Sequence, residues 1–231
     1  MSKLYFYYGT VCSSKTLNLL AVYKNYEVQG RKALLIRPEC DTRSKNVESR
    51  TGLSAIPDIT LNKSSSVYNV ICSYINENLN IDDTIQKNQG INIDAIIVDE
   101  CQFLTVEQIK ELRQIATGVC IKINNDKKIT LQSTKQSKKE IENIIVSIPV
   151  LCYGLRTDCN GELWPSSAVL MAQSDELHEI KTVCSFCNKR AVFSSINPDK
   201  IKNENTNLNF NPSWGYYIPV CPEHYFLIKE E

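Results

Sequence analysis

Short runs of apolar residues alternate along the chain with stretches in which apolar residues recur at helical spacing. Continuous apolar runs are typical of strands buried on both faces of a sheet. We predict such strands at residues 3–8, 32–36, 58–61, 92–99 and 148–153. Helices are predicted at residues 13–30, 67–78 and from 105 onwards; Gly30 stops the first, and Glu107 and Gln108 place a near capping box on the third. This alternation indicates an α/β fold with a parallel sheet.

Three stretches depart from the alternation. Residues 37–54 are polar and rich in Arg, Ser, Asp and Thr, which is typical of a functional loop. Residues 119–145 are rich in Lys and Asn, with weak periodicity and short β-like pieces, and we interpret them as an inserted surface excursion. Paired cysteines and turns follow residue 177. We therefore predict a first domain at residues 1–176 and a small second domain at 177–231, with His178 in a structural role on a helix.

Composition narrows the class of protein. The chain of 231 residues carries 26 lysines and arginines against 26 aspartates and glutamates, so it lacks the basic surplus of a polyanion-binding protein. No run approaches the roughly 20 apolar residues of a membrane span, and the first residues do not read as a signal peptide. Ten cysteines without an export signal favour a reducing compartment, the cytoplasm, with some cysteines as metal ligands.

A phosphate-binding pattern lies between the first predicted strand and helix. Residues 9–16, GTVCSSKT, match the P-loop pattern G-x-x-x-x-G-K-[ST] except at Ser14, which replaces the second glycine. In such a loop, backbone N–H groups and the helix N-terminus cradle phosphates. Lys15 would reach the β- and γ-phosphates, and the Thr16 hydroxyl would hold Mg²⁺. An ordinary turn with a solvated lysine is the alternative.

An acidic pair ends the strand at residues 92–99. An acid at this position downstream of a P-loop completes the usual nucleotide-triphosphate site. Asp99 would bind Mg²⁺ through water, and Glu100 would be free to act as a base. A pair of solvent-facing acids is the alternative.

Two ligand pairs predict a metal centre in the second domain. Cys184 and Cys187 form a C-x₂-C pair, and Cys221 and His224 form a C-x₂-H pair. Four such soft ligands in two turns are typical of a closed structural Zn²⁺ site.

Together these residues make the chain resemble the type II thymidine kinases over nearly its whole length. The matching segments are LYFYYGTVCSSKT at 4–16, DTR at 41–43, VDECQFLT at 98–105, VLCYGLRTD at 150–158, GELW at 161–164, SDELHEIKTVC at 174–184 and VCPEHY at 220–225. Their order and approximate spacing also match. Residues 119–145 have no counterpart in the family pattern.

The resemblance implies a RecA-like P-loop domain and a zinc-ribbon-like domain whose lasso loop closes over a nucleoside. The reaction would transfer the γ-phosphate of ATP to the 5′-hydroxyl of thymidine, with Glu100 of the D-E-x-Q motif as general base. ATP, thymidine, Mg²⁺, structural Zn²⁺ and a cytoplasmic homotetramer are implied, without nucleic acid or membrane. The residues assigned to ATP are Gly9, Thr10, Val11, Cys12, Ser13, Ser14, Lys15, Thr16, Asp41, Arg43, Asp99, Glu100, Cys101 and Gln102.

The nucleoside pocket implied by the resemblance contains several exchanges. Its residues are Phe103, Leu155, Cys159, Trp164, Ser194 and Tyr217. Trp164 replaces a phenylalanine, Ser194 a frequent threonine and Cys159 a frequent phenylalanine, while Val11 stands where many members have methionine. The lasso at residues 209–217 reads NFNPSWGYY where relatives usually carry I-G-G. Pro212 removes one backbone donor there.

Two further functions are compatible with the same sequence. Ser14, Cys159 and the altered lasso favour a degenerate member that binds nucleotide with little or no turnover. A zinc-ribbon nucleic-acid binder would need a basic face with stacking aromatics. The Lys-rich stretch at residues 119–145 is the only such patch, and we interpret it as a solvated surface.

Overall fold

The computed structural model describes residues 1–41, 45–78, 93–124, 128–133, 144–201 and 215–230. The strands are β1 Leu4–Gly9, β2 Ala33–Pro38, β3 Val47–Glu48, β4 Ser54–Ala55, β5 Ile59–Leu61, β6 Ala95–Val98, β7 Val119–Ile123, β8 Ile129–Ser133, β9 Ile144–Val146, β10 Val150–Leu155, β11 Glu176–Glu179, β12 Phe193–Ile196 and β13 Tyr217–Val220. The helices are α1 Lys15–Val28, α2 Val67–Asn78, α3 Val106–Thr117, α4 Pro165–Gln173, α5 Pro198–Ile201 and α6 Pro222–Glu230.

The central sheet has six strands in the order β11-β1-β10-β6-β2-β5. Every neighbouring pair is parallel, which confirms the predicted α/β class. Alternate residues of the apolar runs enter two separate cores: Leu34 and Ile36 of β2 pack on one face, and Ala33 and Leu35 on the other. Helix α1 covers one face, while α2, α3 and α4 contribute to the other. Burial on both faces explains why these strands are continuously apolar.

The helix boundaries follow the predicted signals. Thr105 caps α3 in a full capping box with Gln108. Gly30 follows the end of α1 with φ of 67°, a conformation that glycine adopts without steric cost. None of the helices in the described ranges has the length and apolarity needed to cross a bilayer.

The described part of residues 119–145 corrects the expectation of a surface excursion. Strands β7, β8 and β9 form an antiparallel sheet in the order β8-β7-β9. The Asn76 side chain of α2 bonds both backbone groups of Ile129, at 3.1 and 2.8 Å. Val119 and Leu131 are buried in the main core. Lysines and asparagines between these apolar positions reduce the strand pattern in the sequence to short β-like pieces. Residues 125–127 and 134–143 lie outside the described ranges.

The region after residue 175 first completes the main sheet. Strand β11 pairs with β1, so His178 lies on a strand and the predicted helix is wrong there. Its imidazole ring stacks on Tyr7 with centroids 4.7 Å apart. Strand β11 includes both residues 176 and 177, between which we predicted the boundary of the two domains. The division into two domains itself stays a prediction. Beyond it, β12, β13 and α6 surround a small core of Cys184, Val220, Cys221 and Tyr225.

Candidate active site

A cavity of about 480 Å³ opens where β1, β6 and β10 end, at the carboxyl edge of the parallel sheet. Ligands of open α/β sheets bind at this edge. The sequence-predicted residues that line the cavity are Val11, Cys12, Ser13, Ser14, Lys15, Thr16, Asp41, Asp99, Glu100, Gln102, Phe103, Leu155, Cys159, Trp164, Ser194 and Tyr217. Gly9 and Thr10 line a small neighbouring cavity. Cys101 is buried, and Arg43 lies outside the described residues.

The loop at residues 9–16 joins β1 to α1 in a tightly bonded conformation. The buried Lys15 ammonium donates to Thr10 O at 2.6 Å, and Ser13 Oγ donates to the same carbonyl at 2.9 Å. A Cβ on Gly9 would lie 2.5 Å from Ile180 O and from Ser13 Oγ, so only glycine fits there. Helix α1 begins at Lys15, which places the positive end of its dipole at the loop.

Two non-glycine residues of this loop have left-handed backbone conformations. Cys12 has φ of 59°, and Ser14 has φ of 61° with ψ of 25°. Such conformations cost about 1–3 kcal/mol each and cluster at functional sites. Ser14 therefore occupies a position where the glycine of the P-loop pattern would be free of strain.

The acidic pair lies beside this loop. Asp99 follows β6 and is buried, and its Oδ2 lies 3.4 Å from the hydroxyl of Thr16. Hydroxyl and carboxylate oxygens are the donors that Mg²⁺ prefers, so these two residues fit that ion. Glu100 is half-buried, and its backbone is also in the left-handed region, with φ of 47°. Its carboxylate accepts a hydrogen bond from Gln102 Nε2.

Arg37 is a cavity residue that the sequence did not single out. It ends the apolar run of β2 and is 5% exposed. Its guanidinium lies 3.5 Å from Asp41 Oδ2 and donates to Asn46 O at 3.2 Å and to Asp41 O. The available signal was a cationic residue directly after the predicted buried strand at 32–36. Because Arg37 is also the first residue of the polar stretch at 37–54, the sequence pattern places it in that loop.

The other end of the cavity has aromatic walls. Phe103 and Trp164 meet edge to face with ring centroids 5.5 Å apart. Burial raises the pKa of the Cys159 thiol and of the Tyr217 hydroxyl, so both side chains are neutral near pH 7. Ser194 on β12 accepts a hydrogen bond from Val11 N at 3.1 Å. This contact connects the C-terminal unit, by which we mean the described residues from Thr182 to Glu230, to the 9–16 loop.

The four predicted metal ligands come together in the C-terminal unit. Their ligand atoms all lie within 4.8 Å of one another. His224 Nδ1 is 3.2 to 3.7 Å from the three sulfurs, and Cys187 Sγ is 3.8 Å from Cys221 Sγ. Zn–S bonds of about 2.3 Å give tetrahedral edges of about 3.8 Å, so the set fits zinc.

The surroundings of the Cys184 thiol favour its deprotonated form, which is the form that binds metal. Burial acts to raise its pKa, but backbone N–H groups of Phe186, Cys221 and Cys187 outweigh this effect and lower the pKa to about 7. A thiolate is the form of cysteine that binds metal. Cys184 can therefore bind a metal ion with little cost in deprotonation, whereas burial and the neighbouring sulfurs of Cys221 and Cys184 raise the pKa of Cys187.

Comparison with known proteins identifies the family. The model of the family described as thymidine kinase matches residues 2–131 and 131–225. The chain belongs to the thymidine kinase family. It is 32% identical over 229 residues to the thymidine kinase of Escherichia coli strain K12, covering 97% of this chain and 91% of that protein. It is equally identical over 230 residues to the thymidine kinase of Yersinia pestis, covering 97% and 95%.

Membership of the thymidine kinase family confirms the resemblance inferred from the motifs. The match to the family model is made in two stretches that meet at residue 131, inside the stretch at 119–145. Residues 209–214 of the predicted lasso lie outside the described ranges. Tyr217, at the end of that segment, begins β13 and lines the cavity.

Proposed function

We propose that this chain transfers the γ-phosphate of ATP to the 5′-hydroxyl of thymidine, with Glu100 as the general base. As a member of the thymidine kinase family, the chain is a kinase. The observation that carries the proposed site is the position of Glu100. It follows a buried strand and lines the same cavity as Lys15 and Thr16 of the 9–16 loop and as the aromatic residues Phe103 and Trp164.

The proposed roles follow from the chemistry of phosphoryl transfer. A primary alcohol does not ionise appreciably at pH 7, so a carboxylate must accept its proton as the bond to phosphorus forms. Lys15 would exchange its bond to Thr10 O for a phosphate oxygen and stabilise the charge there. Thr16 and Asp99 would hold Mg²⁺, which supplies further charge neutralisation. Asp41 and Arg43 are proposed to act near the phosphates.

The nucleoside is proposed to bind against Phe103, Leu155, Trp164 and Tyr217, with Cys159 and Ser194 completing the pocket. Apolar rings and a few polar groups suit a flat pyrimidine base. The lasso is proposed to cover the base. Cytoplasmic localisation remains a prediction from the cysteine content and the resemblance, and a homotetramer remains one from the resemblance alone.

The metal held by Cys184, Cys187, Cys221 and His224 is proposed to be structural Zn²⁺. Four protein ligands complete a tetrahedron and leave no position for a reactive water. The support is the set of ligand distances, which fit a tetrahedron of zinc dimensions.

A direct test is to follow ATP-dependent phosphorylation of thymidine, deoxyuridine and deoxycytidine by the purified protein. We expect turnover of thymidine to exceed turnover of the other two. Nucleotide binding without phosphorylation of any nucleoside would support the degenerate alternative instead. Neither the comparisons nor the described residues of the site support that alternative.

Ser14→Gly is expected to tighten Mg-ATP binding about three- to thirtyfold. In a P-loop, this residue packs beneath the phosphates, so its Cβ competes with the anion for space. Glycine also adopts the observed φ of 61° without strain. Titration calorimetry of both proteins at one salt concentration measures the effect.

Cys12→Gly is the matched control for Ser14→Gly, because Cys12 has nearly the same φ. Equal tightening by both variants would assign the effect to the backbone of the loop and not to the Cβ of Ser14. Equal or weaker binding by Ser14→Gly would show that this loop has adapted to serine.

A further inference from the structure

The side chain of Gln102 connects two parts of the cavity that are far apart in sequence. It is 2% exposed. Its Oε1 accepts a hydrogen bond from Leu155 N at 2.9 Å, and its Nε2 donates to Glu100 Oε2. A backbone N–H can only donate, so the amide oxygen must face Leu155. The amide nitrogen therefore faces the carboxylate of Glu100.

The surroundings of Gln102 hold this arrangement in place. A Cβ on Gly154 would lie 2.6 Å from Gln102 Oε1, so β10 approaches the amide closely only because glycine is there. Ser166 Oγ of α4 donates to Gln102 O at 2.7 Å. Glu100 keeps its left-handed backbone next to these contacts. Strained conformations persist where the surrounding structure fixes them.

We propose that Gln102, which the resemblance assigned to ATP binding, acts instead as a positioning residue that orients the carboxylate of Glu100. This inference rests on the proposed function, in which Glu100 is the base. The bond from Gln102 Nε2 restricts rotation of the Glu100 carboxylate and so fixes its orientation in the cavity that the acceptor hydroxyl would enter. Because the same amide holds Leu155, one side chain sets the distance between the base and the proposed nucleoside wall.

Gln102→Glu and Gln102→Met separate the two hydrogen bonds. Glutamate keeps an acceptor for Leu155 N but replaces the donor to Glu100 with a carboxylate oxygen. Methionine has similar length and removes both bonds. We expect each variant to lower kcat by about 10- to 100-fold, because a misplaced catalytic group costs up to about that factor. The Kd for Mg-ATP should stay within about twofold, which is below 0.5 kcal/mol.

Ser166→Ala is the matched control, since it removes a buried hydrogen bond from the same turn without touching the side chain of Gln102. We expect it to lower the melting temperature while kcat stays within about threefold of wild type. Thermal unfolding of all the variants shows whether each is folded at the assay temperature. If Gln102→Met does not fold, Gln102→Glu still tests the donor to Glu100.

A double-mutant cycle with Glu100→Gln decides between positioning and a general structural role. If Gln102 acts through Glu100, Gln102→Glu lowers kcat less than about threefold in the Glu100→Gln background. The full loss in both backgrounds, or an ATP Kd weakened about tenfold or more, would overturn the inference. Wild-type protein that phosphorylates no thymidine would instead overturn the proposed function, so the two failures are distinguishable.

Discussion

Glu100→Gln is expected to lower kcat for thymidine phosphorylation by about 10² to 10⁴, with ATP binding largely unchanged. The substitution keeps the shape of the side chain and removes its ability to accept a proton. Gln102 Nε2 can still donate to the amide oxygen of the new side chain, so the turn at residues 100–103 should keep its conformation. The decrease in kcat should therefore reflect only the loss of a proton-accepting carboxylate at residue 100.

Glu48→Gln is the matched control for this experiment. Glu48 lies on β3, lines the same cavity and loses the same charge on substitution. Steady-state kinetics and ATP titration of both variants separate a loss of base from a change in the cavity's charge. A Glu100→Gln protein with nearly normal kcat would remove Glu100 from the mechanism.

Removal of the metal is expected to unfold the C-terminal unit and to abolish thymidine turnover. Among the described residues, the apolar core of this unit has four buried members, two of which are predicted metal ligands. Structural Zn²⁺ contributes about 10–16 kcal/mol in small domains, far more than such a core supplies. The unit also donates from Thr182 Oγ1 to Cys12 O at 3.4 Å and accepts at Ser194 from Val11 N. Its loss should therefore loosen the 9–16 loop after the unit itself has unfolded.

Chelation followed by hydrogen exchange tests this order. Backbone protection should disappear first in β12, β13 and α6, while β1 and β10 stay protected. Cys184→Ser should reproduce the effect, whereas Cys120→Ser, the same exchange at a buried cysteine of β7, should leave metal content unchanged. Folded, active protein without metal in native mass spectrometry would contradict the prediction.

The predicted elements that the structure confirms share one physical property. Strands β1, β2, β6 and β10 are covered on both faces, so each is an uninterrupted apolar run that can be recognised locally. The capping box of α3 and the glycine after α1 are also local signals, because they involve residues within four positions of each other. Such features need no knowledge of the rest of the chain.

The wrong predictions concern β11 and the small sheet formed by β7, β8 and β9. Strand β11 lies at the margin of the main sheet. Its charged residues are compatible with a helical turn, and only its pairing with β1 makes it a strand. Strands β7, β8 and β9 pack mainly through their own small sheet and α2. Strand β7 buries three consecutive residues, Val119 to Ile121, but Thr130 of β8 and Ile145 of β9 are exposed. Partial burial leaves a weak apolar pattern, so the sequence alone favoured a surface stretch.

The sequence by itself indicated the family, the phosphate-binding pattern, the acidic pair and the two pairs of predicted metal ligands, because the residues of each pattern or pair are close along the chain. Only the tertiary structure decided which distant residues support them. Gln102 bonds Leu155 across 53 positions, and Val11 bonds Ser194 across 183. These bonds depend on the parallel order of the strands and on how the C-terminal unit is placed. No local pattern encodes such a pairing, since a hydrogen-bond donor in a sequence does not specify its acceptor.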